Sequence, residues 1–221
     1  MLKKNNREKS DMYKFVTDNW NPVRGKCPYE CTYCYVGRWG NVPKPLFLDQ
    51  KYLRDNLGTG RYIFICSGCD LFHPDIPVEW INAVRERTLL YPGNTYLWHT
   101  KNPYRLVSLI EPGRPDIACV TIESNREYPL ISKAPRPIER AAYLEKWEGK
   151  RMITVEPILD FDVTFVNMIL QTNPMQVNIG ADTGNNGLPE PPSWKIRALI
   201  ETLEKHTKVH CKKNLERLLN A

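Results

Sequence analysis

The sequence predicts an α/β fold, a partial (βα)6-type parallel barrel of six or seven β/α units. Three observations predict it. Short apolar runs rich in β-branched and aromatic residues recur along the chain. Each is followed by a stretch with helical spacing of its apolar residues. The connections are punctuated by Gly and Pro rather than by long polar linkers. Such alternation implies a parallel sheet covered by helices, with too few units for a closed eight-unit barrel.

Taken in order, the polar residues 1–10 read as a flexible arm, and Met12 to Val16 as a short first strand. A helix is expected over Asp49 to Leu57, closed by Gly58. Tyr62 to Cys66 (YIFIC) reads as a buried strand and Val78 to Tyr91, after Pro77, as its helix. Strand Thr95 to His99 is followed by a helix that starts on Pro103, a favoured first-turn residue, and runs to Ile110. The unit recurs as Ile117–Ile122 with Ile138–Trp147, Met152–Val155 with Val163–Leu170, and Gln176–Ile179 with Trp194–Thr207. Ile196, Leu199, Ile200 and Leu203 give the last of these helices an apolar face. Strand Lys208–Cys211 and a helix over Leu215–Leu219 complete the series. Neither repeats nor low-complexity linkers divide the chain, so residues 1–221 read as one domain.

Composition bounds the function. Of 221 residues, 42% are hydrophobic and 25% charged, as in an ordinary soluble globular protein, and no apolar run approaches a membrane span of ~18–20 residues. The charged start MLKKNNREKSDMYKF lacks the apolar centre of a secretory signal, so a cytoplasmic, reducing location is expected. The seven cysteines are then ligands or free thiols rather than a disulfide framework. A net charge of +6 suits a phosphate-bearing partner, although the positive charges are spread without a long basic run.

The most informative stretch is WNPVRGKCPYECTYCYVGRWG, residues 20–40. It places Cys27, Cys31 and Cys34 at C-x3-C-x2-C spacing with Tyr35 directly after the last thiol. Close thiolates select zinc or an iron–sulfur cluster. Structural zinc wants four protein ligands, whereas three cysteines on a [4Fe–4S] cluster leave one iron open for a small molecule. Cys66 and Cys69 form a second pair without a matching partner pair, and are read as structural, with Cys66 and Cys119 buried in strands. His99, closing an apolar strand, reads as a core histidine; His73, before Pro74, is the more open candidate.

In parallel α/β folds ligands bind at the carboxyl ends of the strands. The residues just past each expected strand form one candidate rim. They are the three cysteines; Ser67, Gly68, Cys69, Asp70 and His73; Thr100, Lys101 and Asn102; Glu123, Ser124 and Asn125; Glu156; Asp182 and Asn185; and Lys212 and Lys213.

The segment CPYECTYCY resembles the cluster motif of the radical S-adenosylmethionine superfamily, whose third cysteine is followed by an aromatic residue. The segments NWNPVRG, CDLFHPDIP, HTKNPYRL, VTIESN, ITVEPIL and NIGADTG follow the order of its phage-associated Gp37/Gp68-like (DUF5131) branch, from about Asn19 to Leu215. That branch is similar to the spore photoproduct lyase-like enzymes.

The resemblance implies that Cys27, Cys31 and Cys34 are catalytic as well as metal ligands, holding a [4Fe–4S] cluster whose open iron takes the amino and carboxylate groups of S-adenosylmethionine. Tyr33 would be an aromatic lid over the cluster, and the backbone around Tyr35 would face the adenine. Ser67 or Asp70 stands where relatives carry a Gly-Gly-Glu grip on the methionine amino group. Glu123, Ser124 and Asn125 match the strand end that meets ribose and carboxylate, and Glu156 lies near the cofactor. Thr100, Lys101, Asp182, Lys212 and Lys213 are left to face substrate. The implied activity is reductive cleavage of S-adenosylmethionine to a 5′-deoxyadenosyl radical that abstracts hydrogen, in a lyase or transferase reaction on a nucleic acid or nucleotide. An electron donor of flavodoxin or ferredoxin type is the implied partner, and a monomer is the expected state. The competing reading is a non-catalytic zinc or iron–sulfur module that binds nucleic acid.

Overall fold

The computed structural model describes residues 2–5, 12–40, 42, 45–112 and 116–221. Runs of buried apolar residues pair side by side as parallel strands because each can be covered on both faces. In chain order the elements begin with strands β1 (Lys3–Lys4), β2 (Asp18–Trp20), β3 (Val23–Arg24) and β4 (Phe47–Leu48), then helix α1 (Gln50–Leu53). Five further pairs follow: β5 (Tyr62–Ile65) with α2 (Val78–Leu89), β6 (Thr95–Thr100) with α3 (Pro103–Leu109), β7 (Ile117–Thr121) with α4 (Pro137–Leu144), β8 (Lys150–Val155) with α5 (Phe165–Gln171), and β9 (Gln176–Ile179) with α6 (Ser193–Glu204). Strand β10 (Lys208–Cys211) and α7 (Glu216–Leu219) end the series.

One sheet of eight strands runs β1-β2-β5-β6-β7-β8-β9-β10. All its pairings are parallel except the edge pair of β1 with β2. The mostly parallel α/β architecture is the expected one, and β9 and β10 have the expected bounds. Helix α1 is shorter than expected: Asp49 caps it by accepting the N–H groups of Lys51 and Tyr52, and it ends at Leu53.

The first strand departs from expectation. Residues 12–16 do not pair as a strand; the Val16 N–H closes a turn on the Tyr13 carbonyl at 3.0 Å, and pairing starts at Asp18. Tyr13 and Val16 are both buried at a spacing of three, which a period-two strand cannot present to one face. Lys3 and Lys4 of the expected arm pair with Asn19 and Asp18, while residues 1 and 6–10 of that arm lie outside the described residues.

Tyr13 reports the curvature of the sheet. Its ring lies 6.4 Å from Phe64 of β5, its hydroxyl is 2.5 Å from Thr154 Oγ1 of β8, and the ammonium of Lys212, just past β10, sits 5.1 Å from the ring centre. On a flat sheet β5 and β8 would stand about 14 Å apart, at ~4.8 Å per strand, so the sheet must curl around this side chain. The concave floor is a small apolar cluster of Tyr13, Val16, Phe64, Leu97, Ile117, Cys119 and Met152. The larger core lies between the convex face and the helices and includes Trp20, Trp98, Leu144, Val155 and Leu199.

Among the described residues, no helix is long and apolar enough to cross a membrane. Trp20 is fully buried, and its indole N–H donates to the Tyr52 carbonyl at 2.8 Å, joining the first parallel strand to α1. A Trp20→Ala variant is expected to lose about 3–5 kcal/mol of stability in equilibrium urea unfolding.

Candidate functional site

The cysteine loop leaves β2 and crosses the carboxyl ends of the strands. Gly25 makes the approach possible: its φ is +127°, and a Cβ there would stand 2.7 Å from the Leu46 Cα. The loop is a chain of tight turns, with N–H donation from Cys34 to the Cys31 carbonyl at 3.0 Å and from Gly37 to the Cys34 carbonyl at 3.1 Å. It docks on the connection between β7 and α4, where the Thr32 N–H donates to Ile131 at 2.9 Å and the Lys133 N–H to Tyr29 at 3.0 Å. Cys31 Sγ lies 3.1 Å from Ser132 Oγ.

Two tyrosines of the loop fasten it to strand ends. The Tyr35 hydroxyl donates to the Ser67 carbonyl just past β5, and Ser67 is itself fixed by its hydroxyl on Asn21 Oδ1 at 3.2 Å. The Tyr33 hydroxyl donates to Glu123, just past β7, while Lys101 donates to both Tyr33 and Glu123. The other Glu123 oxygen accepts from the Arg140 guanidinium at 2.6 Å. Glu123 and Arg140 are each only 4% exposed. Burial alone would raise the Glu123 pKa, but Arg140 and Lys101 outweigh it and hold the carboxyl well below the usual range. Burial, then Glu123, pushes Tyr33 upward, so it stays a neutral donor.

A second charged pair stands on the concave face, where Glu156 past β8 pairs with Lys212 past β10 and also accepts from Asn214 at 3.1 Å. Gly180 makes room for it; a Cβ at 180 would stand 2.8 Å from the Glu156 carboxyl carbon. Deeper in, His99 Nε2 is 2.8 Å from Thr121 Oγ1, and Cys119 Sγ is 3.3 Å from Thr154 Oγ1.

The remaining expected site residues are placed differently. Asp70 accepts from the Thr100 hydroxyl at 2.7 Å and from the Lys101 and Phe72 N–H groups, so Asp70 and Thr100 lock two strand ends together. Ser124 donates to the Asp160 carbonyl at 2.6 Å, and Asn125 bonds Thr164 and the Asp162 N–H, both facing the segment 160–164. Asp182 accepts from Gly184 at 2.9 Å and from Asn186 at 2.5 Å, shaping its own loop. Lys213 is exposed in a short 3-10 turn. Cys66 and Cys69 are buried in the main core, and Cys66, expected within the strand, lies just past β5 with a φ of +54°. Arg140, Asn214, Asn21 and Ser132 were not expected. An arginine at position 140, on the buried stripe with Pro137, Ala141 and Leu144, was the signal for the first of these.

The three loop cysteines are free thiols of intermediate burial. Among the described residues no three His, Cys, Asp or Glu side chains are gathered into a ligand set. The fit to a [4Fe–4S] cluster is that of donor chemistry: three thiols carried by one short loop. Burial, then the charge of Asp70, pushes the Cys27 thiol up to about 12.

A curled, mostly parallel sheet with charged residues past its strand ends defines an α/β class of fold in which ligand sites generally lie at the carboxyl ends of the strands. The fold matches solved structures of spore photoproduct lyase. A cysteine-to-serine variant of that enzyme superposes with a TM-score of 0.60 at 13% identity, covering 90% of this chain and 64% of the other. Spore photoproduct lyase complexed with dinucleoside spore photoproduct gives 0.58 at 12% identity, covering 90% and 64%. A variant with bound AdoMet and dinucleoside spore photoproduct gives 0.55 at 12% identity, covering 93% and 66%. The likeness establishes a common fold, and the chain spans 64% to 66% of the length of these proteins. No protein-family model matches the sequence, and no curated protein matches it.

Two measurements follow from this geometry. Arg140→Met should destabilise the protein by about 2–4 kcal/mol in urea unfolding, because it leaves one oxygen of the buried Glu123 carboxylate without its cationic partner. Burial, then the charges of Lys101 and Lys212, lowers the His99 pKa from 6.5 to about 3. The unfolded chain therefore takes up the proton first as pH falls. Stability from this group is complete above pH 6.5 and is lost between 6.5 and about 3, at about 1.4 kcal/mol per unit. His99→Gln should remove that one-proton dependence, read as the difference in unfolding free energy between pH 7 and pH 5.

Proposed function

We propose that this chain is a radical S-adenosylmethionine enzyme of the Gp37/Gp68-like branch, built on a partial barrel, that acts on a nucleic acid or nucleotide. The observation that carries the reading is the position of the C-x3-C-x2-C loop. It follows the first parallel strand, lies over the strand ends, and is tied to two of them through Tyr33 and Tyr35. Cys27, Cys31 and Cys34 hold the cluster, and three ligands on four irons leave one iron for the cofactor. When bound, cluster and S-adenosylmethionine together supply a carbon radical that abstracts hydrogen from substrate.

The chain's own residues hold and enclose that chemistry. Lys101 and Glu123 present a charged edge beside Tyr33, and Lys212 with Glu156 presents a second across the concave face. The Ser67 carbonyl is already taken by Tyr35, so this turn meets a ligand through its remaining backbone groups. The floor of Tyr13, Phe64 and Leu97 closes the interior below and excludes water. The net charge of +6 supports an anionic substrate, as does the dinucleoside in the structural neighbours. The electron donor is a small flavodoxin- or ferredoxin-like protein.

Anaerobic reconstitution tests the reading. Dithionite-reduced protein should convert S-adenosylmethionine to 5′-deoxyadenosine, and Cys31→Ala should lose both iron and product. An intact cluster without 5′-deoxyadenosine would leave the non-catalytic iron–sulfur module as the function. Binding to single-stranded DNA should weaken as salt rises, with a slope set by the phosphates contacted.

A further inference from the structure

The contact between Cys31 and the connection from β7 to α4 is not used by any step above. Ser132 Oγ lies 3.1 Å from Cys31 Sγ, across 101 residues of sequence. A cluster-bound Cys31 is a thiolate and carries no proton, so the serine hydroxyl is the donor in this contact. The Ala134 N–H donates to the same Ser132 oxygen at 3.2 Å and holds it in place. The pair is held on both sides by backbone bonds, Thr32 to Ile131 at 2.9 Å and Lys133 to Tyr29 at 3.0 Å.

We propose that Ser132 is a tuning residue for the cluster, donating its hydroxyl hydrogen bond to the Cys31 thiolate and so raising the reduction potential of the iron–sulfur centre. The inference rests on Cys31 being a cluster ligand. Reduction adds negative charge that is shared with the ligand sulfurs, and a donor aimed at a sulfur stabilises the reduced form more than the oxidised one. A hydrogen bond to a charged group of about 1.5 kcal/mol corresponds to about a tenfold change in a one-electron reduction equilibrium. Ser132 is thus a positioning residue that acts through Cys31 and leaves the ligand set itself unaltered.

The experiment compares anaerobically reconstituted wild type, Ser132→Ala and Ser132→Thr at matched iron content. The midpoint potential is read by redox titration of the reduced-cluster electron paramagnetic resonance signal. The alanine variant should move to more negative potential, by up to about tenfold in the equilibrium, and threonine, which keeps a hydroxyl, should restore it. In wild type, electron–nuclear double resonance after exchange into D2O should show an exchangeable proton coupled to the cluster that the alanine variant lacks. A wild-type cluster without that coupling, or equal potentials in wild type and alanine, overturns the role of Ser132 while leaving the cluster reading intact. Wild type that takes up no iron overturns both, which separates the two failures; the wild-type resonance measurement decides the matter even if the alanine variant does not fold.

Discussion

A buried carboxylate is the constraint on which the mouth of this molecule depends. Glu123 carries its charge where little solvent reaches it, and such a charge is tolerated only when donors surround it. The donors come from three separate parts of the chain: Tyr33 from the cysteine loop, Lys101 from the end of β6 and Arg140 from α4. Satisfying one charge therefore fixes a loop, a strand end and a helix relative to one another. The loop with the three thiols inherits its placement from that arrangement, reinforced by the backbone bonds to residues 131 and 133.

The interior is graded in polarity along the strands. Apolar side chains, Cys119 among them, fill the concave floor, His99, Thr121 and Thr154 occupy the middle, and the Lys101–Glu123 and Lys212–Glu156 pairs stand at the carboxyl ends. This follows from period-two alternation in the strands: Leu97, His99 and Lys101 share one face, as do Cys119, Thr121 and Glu123. Each strand thus carries a residue from dry floor to charged rim, while its other face packs on helices. Glycine at 180 is the exception that the Glu156 side chain requires.

Much of this was legible in the sequence, for physical reasons. Parallel strands buried on both faces read as continuous apolar runs, so YIFI, IACVT and QVNI announced themselves, and C-x3-C-x2-C spacing singled out the loop. The two-residue strands at Lys3–Lys4, Val23–Arg24 and Phe47–Leu48 have no periodicity to read. Tyr13 and Val16 looked like a strand because burial inside a curled sheet imposes the same apolar choice as pairing in one. Asp70, Thr100, Ser124, Asn125 and Asp182 share a rim position with Lys101 and Glu123, yet their side chains bond nearby backbone at strand ends. Short polar side chains do this whether or not a ligand is near, so type and position alone do not separate the two roles. Arg140 lay hidden because its partner is 17 residues away and only the fold brings them together.

The hydrogen bond between Tyr13 and Thr154 joins residues 141 apart. During synthesis Tyr13 leaves the ribosome long before β8 exists, so the floor of the interior is among the last parts that can assemble. Contacts of such long separation slow folding, since loop closure comes before their reward. The apolar floor is therefore complete only once the strands that lead to Glu123 and Glu156 are both in place.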